Sequence, residues 1–363
     1  MTLRNLLLLL LIGACTPPVP PEPWLGEFVK PATNPVLRPD SSATFFCPVR
    51  QTAVQWQLAD VFNPAAVVRN DSVFLLFRAE DDPGAIIGGR TSRIGLAVSV
   101  DGEHFTKYPD PVLYPDTSGG FLWDYPGGCE DPRIVEMPEG GYLMTYTSWD
   151  RKVARLSCAT SPDLLHWEKH GPAFAAAHEG CLLDSWSKSG SVVAQLVGDR
   201  LVAARIDGRY WMYWGEQFVN LATSDNLIDW TPLLDDQDEL LRVMETRPGF
   251  FDSFLTEPGP PALLTDRGIL LLYNGKNAEN EQADPALPRG TYSGGQALFD
   301  AQDPRKLLDR MDRPFIRPDL PHEQTGQYQA GTTFIEGLVR LKGRWLLYYG
   351  TADSMVGVAA AGS

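Results

Sequence analysis

The chain has 363 residues, 46 of them acidic and 31 basic, for a formal net charge of −15. A chain of that length buries roughly three quarters of its unfolded surface, so it needs no disulfide staples to hold a core. The acid excess argues against a nucleic-acid partner or a surface that binds anionic membranes.

The first predicted element is a targeting segment. Arg4 precedes a short apolar run from Leu6 to Ile12, too short to span a bilayer. It ends in Ile12-Gly13-Ala14-Cys15, which resembles the lipobox of bacterial lipoproteins. The resemblance implies a signal peptide over 1–14 and a lipid on Cys15. The alternative is an ordinary secretory signal with an incidental cysteine. Residues 15–35 then read as the lipidated cysteine and a Pro-rich tether, and 36–363 as the folded domain. This places the protein in the bacterial cell envelope as an outer-membrane lipoprotein, periplasmic or surface-facing, touching the membrane through its anchor alone.

Past the tether a weak repeat recurs five times. Each copy has an apolar strand opened by a polar residue, then a turn, then a strand with an aromatic end and a polar tip. The paired runs are Asn63 to Val68 with Val73 to Phe77, Glu130 to Val135 with Tyr142 to Tyr146, and Lys188 to Val193 with Tyr210 to Trp214. Glu257 to Leu264 with Ile269 to Tyr273, and Glu336 to Val339 with Trp345 to Tyr349, complete the set. Three copies continue into a small-Ser-Asp signature followed by Phe105, Trp167 or Trp230, and the two tryptophans are expected to pack between units. Short strands, 33 Gly and 30 Pro with no long helical period predict an all-β fold. Five antiparallel units in series predict a five-bladed β-propeller with an axial active-site funnel.

In a radial arrangement the polar ends of the two strands meet at the axial mouth. The residues expected there are Asn63, Arg78, Glu80, Asp81, Asp131, Asp150, Lys188, Glu216, Glu257, Asn274, Glu336 and Asp353. Any one could be a solvated loop end; so many at equivalent places point to a ligand site. Gly127-Gly128-Cys129-Glu130-Asp131-Pro132-Arg133 stands out, with two carboxylates held between a glycine pair and a Pro-Arg step. Its plainer reading is an acidic turn in which Asp131 pairs with Arg133. Carboxylates with aromatic walls, taken as Trp149, Trp214 and Tyr349, suit a sugar. Glycoside cleavage needs one protonated carboxyl and one ionised carboxylate. The chain has no GxSxG, HExxH, P-loop or Rossmann pattern, and its five histidines do not cluster, so no metal and no cofactor are expected. His104 and His166 read as surface residues. Cys47, Cys129, Cys158 and Cys181 show no metal spacing and no readable pairing.

At these motifs the chain resembles glycoside hydrolase family 130 over roughly residues 60 to 358. The resemblance rests on Arg78-Ala79-Glu80-Asp81, the segment Arg90 to Ala97 with Arg93, the Gly127 to Arg133 motif, Glu257-Pro258-Gly259, Tyr273-Asn274-Gly275 and Tyr349 to Asp353. It implies a five-bladed propeller acting on β-mannoside oligosaccharides with inversion. It implies that Asp131 is the proton donor, its proton passing through a sugar hydroxyl in the phosphorylases. That branch uses phosphate as nucleophile and the other uses water. The phosphorylases carry a histidine where Asn274 stands, basic residues near Gly215-Glu216, and a small residue in place of Glu257. The chain therefore resembles the hydrolase branch, whose members cleave β-1,2-mannosides, with Glu216 and Glu257 as candidate bases. The alternatives are a substrate-hydroxyl acceptor for Glu216 and a structural carboxylate for Glu257. For the whole chain they are a β-mannoside phosphorylase, with Lys188 as a phosphate ligand, and a glycan-binding propeller.

Overall fold

The computed structural model describes residues 23–86 and 88–362. The segment read as a signal peptide, the lipidation expected at Cys15 and the tether expected up to residue 22 lie outside the described residues.

Five antiparallel sheets follow one another along the chain. Blade 1 is Asp60–Arg69, Ser72–Glu80, Ser92–Ser99 and Thr106–Lys107. Blade 2 is Gly128–Glu136, Tyr142–Trp149, Ala154–Ser161 and Glu168–Pro172. Blade 3 runs Ser191–Val197, Arg209–Trp214 and Val219–Ser224, with its outer edge split into Thr231–Pro232 and Arg242–Met244. Blade 4 has a broken inner strand, Leu255–Pro258 and Ala262–Thr265, then Gly268–Lys276, Tyr292–Phe299 and Leu307–Arg310. Blade 5 is Thr333–Leu341, Arg344–Thr351 and Met355–Ala361. Its fourth strand comes from the other end of the chain: Phe28–Val29 pairs antiparallel with Ala361 and Ala360. The fold is the expected five-bladed β-propeller, closed by its N-terminal segment.

That closure corrects one boundary. Residues 24–35, which the sequence suggests are tether, belong to the fold. The backbone of Leu25 exchanges two hydrogen bonds with the Gln296 amide, at 2.9 and 3.1 Å. Asn34 brackets the Val358 backbone in the same way, at 2.7 and 2.8 Å. Proline content hid this role, because an outer strand of two residues carries no readable alternation.

Local sequence explains the hairpins. Asn70-Asp71, Asp207-Gly208 and Lys342-Gly343 all take positive φ, the geometry of a tight turn whose twist matches the flanking strands. The small-Ser-Asp signature is a turn as well. Ser99 Oγ accepts from Gly102 N, and Asp101 Oδ1 accepts from the backbone of Glu103 and His104. Ser161 with Asp163, and Ser224 with Asn226, repeat it. In the third copy the acceptor is therefore Asn226, one residue past the expected Asp225. The exposed His104 and His166 lie against the turn aspartates, Nδ1 to Oδ2 at 2.9 and 2.7 Å.

The cores lie between blades. Val61, Leu75, Val339 and Tyr348 join blades 1 and 5; Leu76, Ile94, Ile134 and Met144 join blades 1 and 2; Val193, Tyr213, Leu271 and Tyr273 join blades 3 and 4. Phe105 of blade 1 meets Tyr348 of blade 5 edge-on, and Trp230 N donates to Ala173 O just beyond blade 2. Each fully buried aliphatic side chain contributes about 1.5–3 kcal/mol. The interfaces thus make a rigid ring around the axis. All four cysteines beyond Cys15 are free, Cys181 exposed and the others buried.

Candidate active site

Backbone irregularities aim the site residues. The inner strands of blades 1, 2 and 5 each carry a bulge, between Phe62 and Pro64, Glu130 and Arg133, and Ile335 and Gly337. Asn63, Asp131 with Pro132, and Glu336 are the residues set out of register, and a bulge re-aims the side chain it displaces. Asn63 and Asp131 hold φ of 46° and 48°. The glycine pair supports this. A Cβ on Gly128 would lie 2.1 Å from Ser92 O, and one on Gly127 would lie 2.1 Å from the Trp149 ring. Arg133 donates to the backbone carbonyl of Asp131 at 3.0 Å, and not to its carboxylate. The acidic-turn reading of the motif is thereby corrected.

One group of side chains surrounds Arg78. Its Nη1 donates to Asp131 Oδ1 at 3.0 Å, its Nη2 to Glu80 at 2.6 Å and Glu130 at 2.9 Å, and its Nε to Ser92 Oγ at 3.0 Å. Asn63 Nδ2 adds a second donor to Asp131 Oδ1 at 2.9 Å. Burial works to raise Asp131, but Arg78, Lys188 and Asn63 outweigh it and hold the carboxyl at about 2. Glu130 goes the other way, pushed up to about 7 by burial and, with Arg78 opposing, by the charge of Asp131. Asp353 is raised to about 7 by burial, with Asp131 adding to the effect. Of the carboxyls around Arg78, Asp131 is therefore ionised at pH 7, whereas Glu130 and Asp353 are each about half protonated there.

A second group comes from blades 3 and 4. Glu257 is raised to about 8, first by burial and then by the charge of Glu216. The Ser189 hydroxyl donates to its Oε1. Lys188 Nζ lies 3.7 Å from Glu216 Oε1, and its ammonium is favoured by Glu216, Asp131, Glu130 and Glu257 against the effect of burial. Trp186 Nε1 donates to Glu216 Oε2 at 2.5 Å.

These groups line one cavity of about 210 Å³, walled by Phe62, Trp149, Trp186, Tyr292, Tyr328 and Phe334. Of the predicted residues it brings together Asn63, Arg78, Glu80, Asp131, Lys188, Glu216, Glu257 and Asp353. Five others are taken up elsewhere. Asp81 binds Arg93 at 3.0 Å and Arg50 at 2.9 Å, which removes both Asp81 and Arg93 from the lining. Asp150 caps its own turn through Lys152 N and Val153 N and pairs with Arg155. Asn274 exchanges hydrogen bonds with the Ile335 backbone. Glu336 is fully buried 3.0 Å from Arg133 Nη1. That approach is off the hydrogen-bond line, so neither Glu336 oxygen has an aligned partner among the described residues. Two expected aromatic walls also fail: Trp214 packs on Phe174 at 4.6 Å, and the Tyr349 hydroxyl donates to Glu323. Glu130, Trp186, Tyr292 and Tyr328 are lining residues outside the predicted set.

A family model described as Glyco_hydro_130, beta-1,4-mannooligosaccharide phosphorylase, matches residues 30–362. A 1,2-beta-oligomannan phosphorylase of Thermoanaerobacter sp. (strain X514) is 31% identical over 84% of this chain and 90% of its own. A glycosyl hydrolase structure from Bacteroides ovatus is 48% identical, with TM-score 0.90 over 93% of this chain and 94% of its own. Another structure, 48% identical with TM-score 0.92 over 94% and 95% of the two chains, comes from work on family members described as glycoside hydrolases that target β-1,2 mannosidic linkages in Candida mannan. The propeller, the Glu130-Asp131-Pro132-Arg133 bulge at its axis and this match across the folded chain make the protein a member of glycoside hydrolase family 130.

Proposed function

We propose that the protein is an inverting, exo-acting hydrolase of β-mannosides, with β-1,2-linked mannose as its substrate. The carrying observation is that both cations lining the cavity, Arg78 and Lys188, are already held by carboxylates. Phosphate as nucleophile needs several free donors or cations around it. Here it would meet Glu216 and Glu257 instead, and a carboxylate base is what water requires. Glu257, buried and favouring its neutral form, holds a hydroxyl or the water; Glu216, against Lys188 and Trp186, is the base. Asp131 is the proton donor. Arg78, Lys188 and Asn63 hold its carboxyl ionised, and the proton it delivers is one that the Glu130–Asp131 pair shares near neutral pH. Sugar binding moves that proton toward Asp131 as hydroxyls take over donors of Arg78. Asn63, Arg78 and Asp131 are buried lining residues of the cavity, and enclosed polar groups of this kind suit the terminal sugar of a chain. The 48% identity to a structure described with β-1,2-mannoside hydrolases supports the same reading. The 31% identity to a phosphorylase favours phosphorolysis as the second reading, with Lys188 freed to bind the anion.

Product analysis on β-1,2- and β-1,4-mannobiose, with and without phosphate, separates the two. Mannose should appear from the β-1,2 dimer at a rate that phosphate does not raise. A phosphate requirement with release of mannose 1-phosphate would establish phosphorolysis, and binding without turnover a glycan-binding protein. The reading includes a lipid on Cys15 in the bacterial envelope. Cys15→Ala should shift the protein from the detergent to the aqueous phase with activity intact; equal partitioning of both forms would exclude the anchor.

A further inference from the structure

Trp186 lies in the loop between the outer strand of blade 2 and the inner strand of blade 3. Large aromatics fold inward, and the other tryptophans of the described residues are buried or partly so; Trp186 is 52% exposed at the lip of the cavity. Its ring meets Trp149 edge-on, with centroids 5.8 Å apart and planes at 69°. Trp149 is itself fixed, because its Nε1 donates to Gly88 O at 3.0 Å and its ring covers Gly127. The two indoles form a corner with one immobile face and one exposed face.

The polar edge of Trp186 has a separate partner. Nε1 donates to Glu216 Oε2 at 2.5 Å, while Lys188 Nζ approaches the other oxygen at 3.7 Å and the Trp186 ring at 5.9 Å. The Glu216 side chain is 34% exposed, so packing alone does not select its rotamer. A charge-assisted hydrogen bond from an indole whose own ring rests on a fixed neighbour does select it.

We propose that Trp186 does two separable things. Its N–H positions Glu216 for its attack on water's proton, and its ring is the wall on which the second sugar of the substrate packs. The first sugar fills the buried end of the cavity, so the next ring of the chain comes to the lip. There the C–H face of a pyranose meets the flat indole while its hydroxyls stay in water. The proposal rests on the hydrolase reading with Glu216 as base.

The test compares Trp186→Phe, Trp186→Ala, Glu216→Ala and the double variant Trp186→Phe/Glu216→Ala on β-1,2-mannobiose. Trp186→Phe keeps the ring and removes the donor, so kcat should fall about 10- to 100-fold, the cost of a misplaced catalytic group, while KM stays within about twofold. Trp186→Ala should show the same fall in kcat with a KM raised about tenfold or more. In the Glu216→Ala background, Trp186→Phe should lower the residual kcat no further, because the N–H acts through Glu216. Unchanged kcat in Trp186→Phe, or a loss that persists in the double variant, overturns the positioning role. Equal KM in the Phe and Ala variants overturns the wall. Full kcat in Glu216→Ala alone removes the base assignment and the positioning role with it; the KM of Trp186→Ala still decides the wall.

Discussion

Glu257 carries a proton at a pH where a free glutamate has lost it. Burial is the first cause and the charge of Glu216 the second, and together they place its titration at about 8. In the unfolded chain the same carboxyl titrates near 4.3. Between those values the native state holds a proton that the unfolded state has released, so this group makes stability fall as pH rises. Above about 8 both states are ionised and the loss is complete. Glutamine keeps the shape and stays neutral throughout. Glu257→Gln should therefore melt a few degrees above wild type at pH 8.5 and at the same temperature near pH 4.5, with kcat sharply reduced. A difference in melting temperature that does not change with pH would show that ionisation of Glu257 is not its source. The same residue shows what the sequence can and cannot reveal. Its place at the start of a repeat unit predicts that it faces the axis, which it does. The partner that fixes it, Ser189, sits at φ 58° one residue before the glycine that leads into blade 3, and no pattern in the sequence assigns that contact.

Across elements, the inner strands are tied together by Arg133. Its Nε donates to Gly259 O at 3.1 Å, its Nη2 to Pro258 O at 3.0 Å and its Nη1 to Asp131 O at 3.0 Å. One planar fork thus satisfies carbonyls on blade 2 and on blade 4 where the inner strand of blade 4 is broken, and it reaches Glu336 of blade 5. Glu336 is raised well above the usual carboxylate range, first by burial, so it behaves as a neutral neighbour of Arg133. Arg133→Lys replaces the fork with a point charge and strands at least one buried carbonyl, which costs on the order of 1–3 kcal/mol for each group left unpaired. It should lower the urea midpoint and also kcat, because Asp131 loses the bond that holds its left-handed backbone. Glu336→Gln should move neither strongly. An unchanged midpoint in Arg133→Lys would show that the blades do not depend on the fork. Periodicity made the strands and the five units readable, since alternation and hairpin turns are local. It could not tell which strand-end polar groups are consumed nearby. Asp150 is spent on its own turn, Asn274 on a neighbouring backbone and Asp81 on two arginines. Trp186 and Tyr328 reach the cavity from loops, where no period marks them, and Tyr292 from the first residue of the third strand of blade 4; the one hint is a tryptophan two residues before Lys188.

At the scale of the whole molecule, a ring of blades is only as stable as its closure. Blade 5 takes its last strand from Phe28–Val29, so the two ends of the fold meet in one sheet. Phe28 packs on Phe315 with centroids 5.5 Å apart. Lys30 Nζ reaches Glu323 Oε2 at 2.8 Å and Asp319 at 2.5 Å. Glu323 is fully buried, and its oxygens also accept from Tyr349 Oη and from the backbone of Asp319 and Leu320. Those neutral donors do not replace a cation beside a buried carboxylate. A chain beginning at residue 24 keeps all of these contacts and should unfold at the same urea concentration as the full chain. A chain beginning at residue 31 loses the strand and leaves Glu323 without Lys30, a change that costs about 3–5 kcal/mol when one partner of a buried pair is removed. Its midpoint should drop accordingly, and the loss of activity on warming should follow the same order. Lys30→Met in the full chain isolates the charge from the strand: it should reproduce part of the loss, with Phe28–Val29 still paired. Equal midpoints for the chains beginning at 24 and 31 would show that the other three strands of blade 5 close the ring unaided.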